Sequence, residues 1–358
     1  MRLFSCPVCS SRLYFENAVC LSCKSIVAYK PFERAFGGVG AEVRQCANAF
    51  ECNCNWAPHD DEPLCASCRL NRTTPDMTVE GNQRRWARIE AAKRRALYTF
   101  IEFGLDVSPK VMVGDEQGIA FDFLGDPIGP GPGGERILTG HDEGLITLNI
   151  SEADAPVREQ MRVQMGEPYR TLLGHFRHEL GHYYWDRLVR DDTEWLERFR
   201  LNFGDETFDY AEALQNHYAN GAPEGWQESH ISAYAASHPW EDWAESFAHY
   251  VHIVDTLEMV AALDLPLGRL HTQASEDLPP NESGFADAGA EPAAAPILTL
   301  PREFEHLLDR WLALSEASNM INRCMGLPDL YPFVITDQVA EKLRFVHELV
   351  QAKGQVAA

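Results

Sequence analysis

The chain has 358 residues, 45% of them hydrophobic and 24% charged, with a net charge of −23. That is the composition of a soluble globular protein too long for one ordinary core. The acidic balance disfavours nucleic acid as the main partner, and no run of 18 or more apolar residues offers a membrane span. The charge is uneven: the first hundred residues carry 14 Lys and Arg against 10 Asp and Glu, the rest 17 against 44. "MRLFSCPVCSS" lacks the apolar run of a signal peptide, so a cytoplasmic protein is expected.

Nine of the ten cysteines fall between Cys6 and Cys68. In a chain without a secretion signal, paired CxxC motifs suggest metal rather than disulfides. Cys6, Cys9, Cys20 and Cys23 form two such pairs. They predict a zinc ribbon over residues 1–30, with "RLYFENAV" as a hairpin turning near Glu16 and Asn17. Four thiolates suit a closed tetrahedral structural site. Residues 31–78 hold five more cysteines. Cys65 and Cys68 make a clean pair, and Cys46 with Cys54 completes a second four-thiolate site. Cys54 is preferred to Cys52 because "NWAP" after it reads as a turn beside an aromatic cover. His59 is a substitute ligand.

Residues 79–104 predict an amphipathic helix. Trp86, Ile89, Leu97, Phe100 and Ile101 recur at helical spacing, opposite a face of Arg84, Arg85, Arg88, Arg94 and Arg95 read as solvated. Residues 118–150 look β-rich: "GIAFDFLGD" alternates around Phe121 and Phe123, "GPGPGG" is a loop and "GLITLNI" a short strand. A helix then starts near Pro168 and runs to about Leu188. Further helices are expected at 207–219, from Pro239 onward, near 302–322 and at 337–352. Residues 272–297 read as loop.

The helix ending at Leu188 carries "HFRHELGHYYWD". His178 and His182 are four residues apart and therefore share a face. Both imidazoles then reach one ion. Glu179 is rotated roughly 100° from His178, beside the ion, where a general base belongs. Catalytic zinc takes three protein ligands and leaves one position open. The third is sought in "HPWEDWAESFAHY". Glu241 and Glu245 share a helix face there; Glu241 is assigned to the metal and Glu245 to the free ring N–H of a ligand histidine. His238 and His249 are rival ligands. Tyr234 is a candidate for steadying the oxyanion. His175 is expected to pack, and His141 is a weaker candidate for the cleft.

HELGH together with "EDWAESFA" resembles the gluzincin class of zinc metallopeptidases, in which a second helix supplies the ligand Glu. The whole chain, two cysteine clusters and then this core, resembles a bacterial family of zinc-binding metallopeptidases with N-terminal zinc ribbons. The resemblance covers nearly all of residues 1–262. It implies an α+β fold: zinc-ribbon modules followed by a mainly helical zincin-like domain with a small β-sheet. The expected units are a ribbon at 1–30, a second zinc segment at 31–78, the metallopeptidase domain at 79–262, a linker at 263–300 and C-terminal helices at 301–358. The implied cofactors are one catalytic and two structural zinc ions, and the implied partner is a peptide or protein substrate, paired with "GLITLNI" if that strand is a sheet edge. The alternative is a zinc-ribbon protein that binds a protein or nucleic acid and carries a latent or inactive HExxH domain.

Overall fold

The computed structural model describes residues 2–59, 61–112, 115, 117–126, 137, 139–265 and 303–354. The fold is α+β: cysteine-rich hairpins first, then a mostly helical body with one four-stranded sheet. None of its helices is long and apolar enough to cross a membrane, among the described residues.

Strands β1 (Phe4–Ser5) and β2 (Arg12–Leu13) pair antiparallel across the Cys6–Cys9 knuckle. The amide of Ser10 donates to the Cys6 carbonyl at 2.9 Å, and that of Lys24 repeats the bond to Cys20. Ser10 and Lys24 both have positive φ, 59° and 64°. Each knuckle thus closes on its own tight turn, and in the first the Val8 amide donates to the Cys6 sulfur at 3.5 Å. The expected hairpin within "RLYFENAV" is corrected. Tyr14–Asn17 is indeed a turn, but the ladder spans the knuckle instead. Strands β3 (Val27–Lys30) and β4 (Ala35–Gly38) form a second hairpin. The segment after Cys54 is extended, not the expected turn: Tyr29 donates to the Asn55 carbonyl and accepts from Ala57, both at 2.7 Å. That pairing buries Trp56 completely.

β5 (Asn71–Thr73) leads into α1 (Asn82–Glu102). The arginine face of α1 is not simply solvated. Arg94 is buried and donates to the Asn53 carbonyl; Arg95 pairs with Glu16, Arg85 with Asp154, and Arg88 bonds the Ala153 carbonyl. These side chains tie α1 to the cysteine segments on one side and to the end of the sheet on the other.

The sheet adds β6 (Ala120–Leu124), β7 (Gly140–Asp142) and β8 (Leu145–Asn149) in the order β5-β6-β8-β7. β6 is parallel to β5 and β8; β7 is antiparallel to β8. The "GLITLNI" strand therefore lies between two neighbours and has no free edge. Among the described residues the edge beside it is β7, so the condition for a peptide to pair with "GLITLNI", that it be a sheet edge, is not met. The "GPGPGG" loop lies outside the described residues.

Two helices went unforeseen, α2 (Ala155–Met165) and α4 (Thr193–Phe203). Between them α3 spans Leu172–Leu188. It starts four residues later than expected: α2 ends at Gly166 with φ 66°, and Thr171, extended, caps α3 by accepting from the Gly174 amide at 2.9 Å. α5 (Tyr210–Asn220) and α6 (Pro239–Ala262) follow, then α7 (Phe304–Cys324) and α8 (Asp337–Lys353). Beyond residue 265, the expected linker lies outside the described residues.

α3 and α6 form the centre of the body. Trp243 of α6 donates to the Gly181 carbonyl of α3 at 2.8 Å. A Cβ on Gly181 would stand 3.1 Å from the Ala244 backbone, so glycine there lets the two helices approach closely. Phe121 and Phe123 of the sheet pack on Phe176 of α3, and Leu343, Val346 and Leu349 of α8 complete one continuous apolar core.

Candidate metal centre

The close approach of α3 and α6 brings three ligand atoms together. His178 Nε2 lies 3.0 Å from Glu241 Oε2, His182 Nε2 lies 3.4 Å from the same oxygen, and the two nitrogens are 3.2 Å apart. Zinc bonds of about 2.0–2.1 Å in a tetrahedron place ligand atoms about 3.3–3.4 Å from one another. The triangle fits such an ion. Glu241 is 1% exposed, and its Oε2 is buried without a hydrogen-bond partner. A buried carboxylate oxygen left bare is costly, and an ion supplies what it lacks. Burial alone would raise the Glu241 pKa; His182 and His178 outweigh it and hold the group well below the usual carboxylate range.

Glu245 stands beside the His178 ring on the side away from Glu241. His178 Nδ1 is 2.8 Å from Glu245 Oε1, and Glu245 Oε2 accepts from Ser232 Oγ at 2.7 Å. The carboxylate holds the proton on Nδ1 and leaves Nε2 free as a ligand. Burial pushes Glu245 up, but the bond from His178 brings it down to about 2. His182 is oriented by packing: its ring centroid lies 4.0 Å from that of Trp240.

Glu179 is buried, with Oε1 3.2 Å from His175 Nε2. His175 thus does more than pack. Tyr234 is on the wall, its ring 6.0 Å from the His178 ring. The tyrosine that touches a site carboxylate is another, Tyr210, whose hydroxyl donates to Glu241 Oε1. Sequence reasoning missed it, because 31 residues separate the pair and α5 shows no pattern pointing at a metal.

The rival ligands turn away. His238 caps α6, its Nδ1 accepting from the Trp240 amide at 3.1 Å while Nε2 bonds the Phe208 carbonyl at 3.1 Å. His249 bonds the Tyr331 hydroxyl at 2.8 Å. His141, on edge strand β7, accepts from the Gly144 amide at 2.9 Å and stacks 6.4 Å from the His182 ring.

Both cysteine sites also assemble. Cys6 and Cys23 sulfurs are 3.8 Å apart, Cys9 and Cys20 sulfurs 3.7 Å. In the second cluster Cys54 lies 3.5 Å from Cys65 and 3.6 Å from Cys68, and Cys46 joins them. Zinc–sulfur bonds of about 2.3 Å set sulfurs about 3.8 Å apart, so either cluster fits the ion. Cys52 is not one of these four but stands next to them, grouped with Cys68 and Glu90, and its thiol donates to the Asn48 carbonyl. Bonding to Cys68 and burial both push its pKa up. His59 is exposed and faces Phe32.

A family profile described as "Putative zinc-binding metallo-peptidase" matches residues 82–349, and a zinc-ribbon domain matches residues 3–42 and 33–79. The chain belongs to that zinc-binding metallopeptidase family. Its match runs from α1 into α8, so the C-terminal helices fall within the family's own span. Relatives of this family member include uncharacterized proteins of Mycobacterium tuberculosis and Mycobacterium bovis. Each is 42% identical over 358 residues, covering 98% of this chain and 95% of the relative. No solved structure matches the chain.

Proposed function

We propose that this protein is a zinc-dependent peptidase, with zinc held by His178, His182 and Glu241 and with Glu179 as general base. One observation carries the reading: three ligand atoms spaced 3.0–3.4 Å apart, one of them the buried and otherwise unpartnered Oε2 of Glu241. Zinc bound there would lower the pKa of a coordinated water towards about 7 and polarise a carbonyl. Glu179 takes the proton from the attacking water and delivers it to the leaving amine. Glu245 keeps the His178 ring in its ligating tautomer. Tyr210 holds the second oxygen of Glu241, and Tyr234 is the hydroxyl assigned to the oxyanion. An extended peptide would lie along β7, the edge strand that carries His141 beside the metal centre.

Two further zinc ions would occupy the cysteine sites, giving three per chain. Eight clustered thiols arranged for metal fit a reducing compartment, and we place the protein in the cytosol. Elemental analysis of wild type and of His178→Ala/His182→Ala tests the reading. Three zincs are expected in the first and two in the second, with hydrolysis of an unstructured protein substrate by the first alone. Two zincs in both proteins would dismiss it.

A further inference from the structure

The proposed base, Glu179, sits at one end of a buried chain that the reaction as described does not use. His175 is one helical turn before it on α3. Its Nε2 lies 3.2 Å from Glu179 Oε1, and its Nδ1 lies 2.7 Å from Glu152 Oε2. Glu152 follows β8 in the 3-10 turn Ile150–Ala153, so it reaches the site from the sheet and not from the helix. It is 2% exposed and is itself held: Thr139 Oγ1 donates to Oε1 at 2.5 Å, and Arg170 Nη2 lies 3.5 Å from Oε2.

An imidazole flanked by two carboxylates donates from both nitrogens only as the imidazolium. Burial would lower the His175 pKa, but Glu152 first and Glu179 second push it up to about 9. Glu152 is held down to about 2: burial opposes this, and His175 outweighs it. Two anchored acceptors thus fix one ring.

The consequence falls on Glu179. A glutamate free to spin about its last torsions presents either oxygen in a broad range of orientations. Charge-assisted bonding of one oxygen removes that freedom. Resting on the peptidase reading above, we propose that His175 is the positioning residue of the base. Anchored by Glu152, it grips Oε1 of Glu179 and leaves Oε2 as the oxygen that meets the attacking water. The sheet then sets the register of the base relative to the metal ligands, which are set by α3 and α6.

The test uses full-length zinc-loaded protein and the variants His175→Ala, His175→Gln and Glu152→Gln. Zinc content, kcat and KM on an unstructured protein substrate, and crystal structures of wild type and His175→Ala are compared. His175→Ala and Glu152→Gln are expected to retain the wild-type zinc count and KM, with kcat reduced by about 10- to 100-fold, the cost of a misplaced catalytic group. His175→Gln, which keeps one donor, should recover part of the loss. In His175→Ala the Glu179 carboxylate should leave its wild-type rotamer. Loss of zinc from the His178–His182–Glu241 site would overturn the proposal and make the pair a prop for the metal centre. So would an unmoved Glu179 or an unchanged kcat. If wild type hydrolyses nothing, the peptidase reading fails, while the Glu179 rotamer comparison still decides the positioning role.

Discussion

Substitution separates the roles proposed for the side chains. Glu179→Gln keeps the shape and removes the proposed base, so zinc should stay at the wild-type count while kcat falls by about 10²- to 10⁴-fold. Full activity in that variant would transfer the proton to another group. His178, Glu179 and His182 are legible because helical spacing alone decides which of them share a face. Glu241 and Glu245 follow from the same spacing on α6, and the structure separates them by partner: two imidazole nitrogens for one, Ser232 and His178 Nδ1 for the other. Tyr210 and Glu152 were not legible. Each arrives from an element whose placement depends on tertiary packing, and no local pattern encodes a contact across 31 or 23 residues. Tyr210→Phe removes a hydrogen bond to the non-ligating oxygen of Glu241 and should weaken zinc retention against a chelator. Tyr234→Phe should leave retention unchanged and lower kcat. If the two variants exchange phenotypes, the assignments of the two tyrosines are reversed.

Among the elements, the junction of α3 and α6 determines whether the ligands can meet. Gly181 lies between the two histidines in sequence, and the Trp243 indole bonds its carbonyl. Its lack of a side chain sets the interhelical distance, and the expected contact of an added Cβ is with rigid backbone at 3.1 and 3.3 Å. Gly181→Ala gains helix propensity of about 1 kcal/mol, which partly masks the clash. Gly181→Val brings two further methyls against α6 and should destabilise the protein by about 1–3 kcal/mol. It should also loosen zinc at the His178–His182–Glu241 site, because Glu241 moves with α6. Denaturant unfolding together with chelator competition checks both effects; wild-type zinc affinity in the valine variant would remove Gly181 from this account. The sheet carries the opposite lesson about legibility. "GLITLNI" was readable as a strand, but strand order is a property of the assembled sheet, so β7 and not β8 has the edge. The residues of α4 carry their own helix signal: Asp192 caps it, and Trp195, Phe199 and Phe203 repeat at four-residue spacing on its buried face.

Over the whole molecule, the boundaries suggested by composition do not coincide with boundaries of packing. The cysteine segments and the helical body share one apolar core. Phe15 and Tyr29 of the hairpins pack against Tyr98 of α1, with ring centroids 5.2 and 6.1 Å apart. Arg2 and Arg34 both reach Glu102 at the end of α1, and Arg94 crosses from its middle to the Asn53 carbonyl beside Cys54. Further along the same helix Thr99 bonds Asp255, and Asp255 pairs with Arg177, the residue before His178. α1 therefore leads from the second thiolate site to the helix of the metal centre. Structural zinc in a small cysteine site supplies folding free energy directly, and here that free energy would support α1 as well. Cys65→Ser removes a fully buried sulfur from the second site. A loss of about 4 kcal/mol would lower the unfolding temperature by roughly 5 °C in a cooperative unit of this size. The expected result is one cooperative transition at the lower temperature, seen equally by far-UV circular dichroism of the helices and by zinc release from both the cysteine and the histidine sites. Cys9→Ser, at the exposed corner of the first knuckle pair, should cost less and leave the helical transition near its wild-type temperature. Two separate transitions in Cys65→Ser, with the helices melting as in wild type, would instead make the cysteine segments an independent module that only rests on the body.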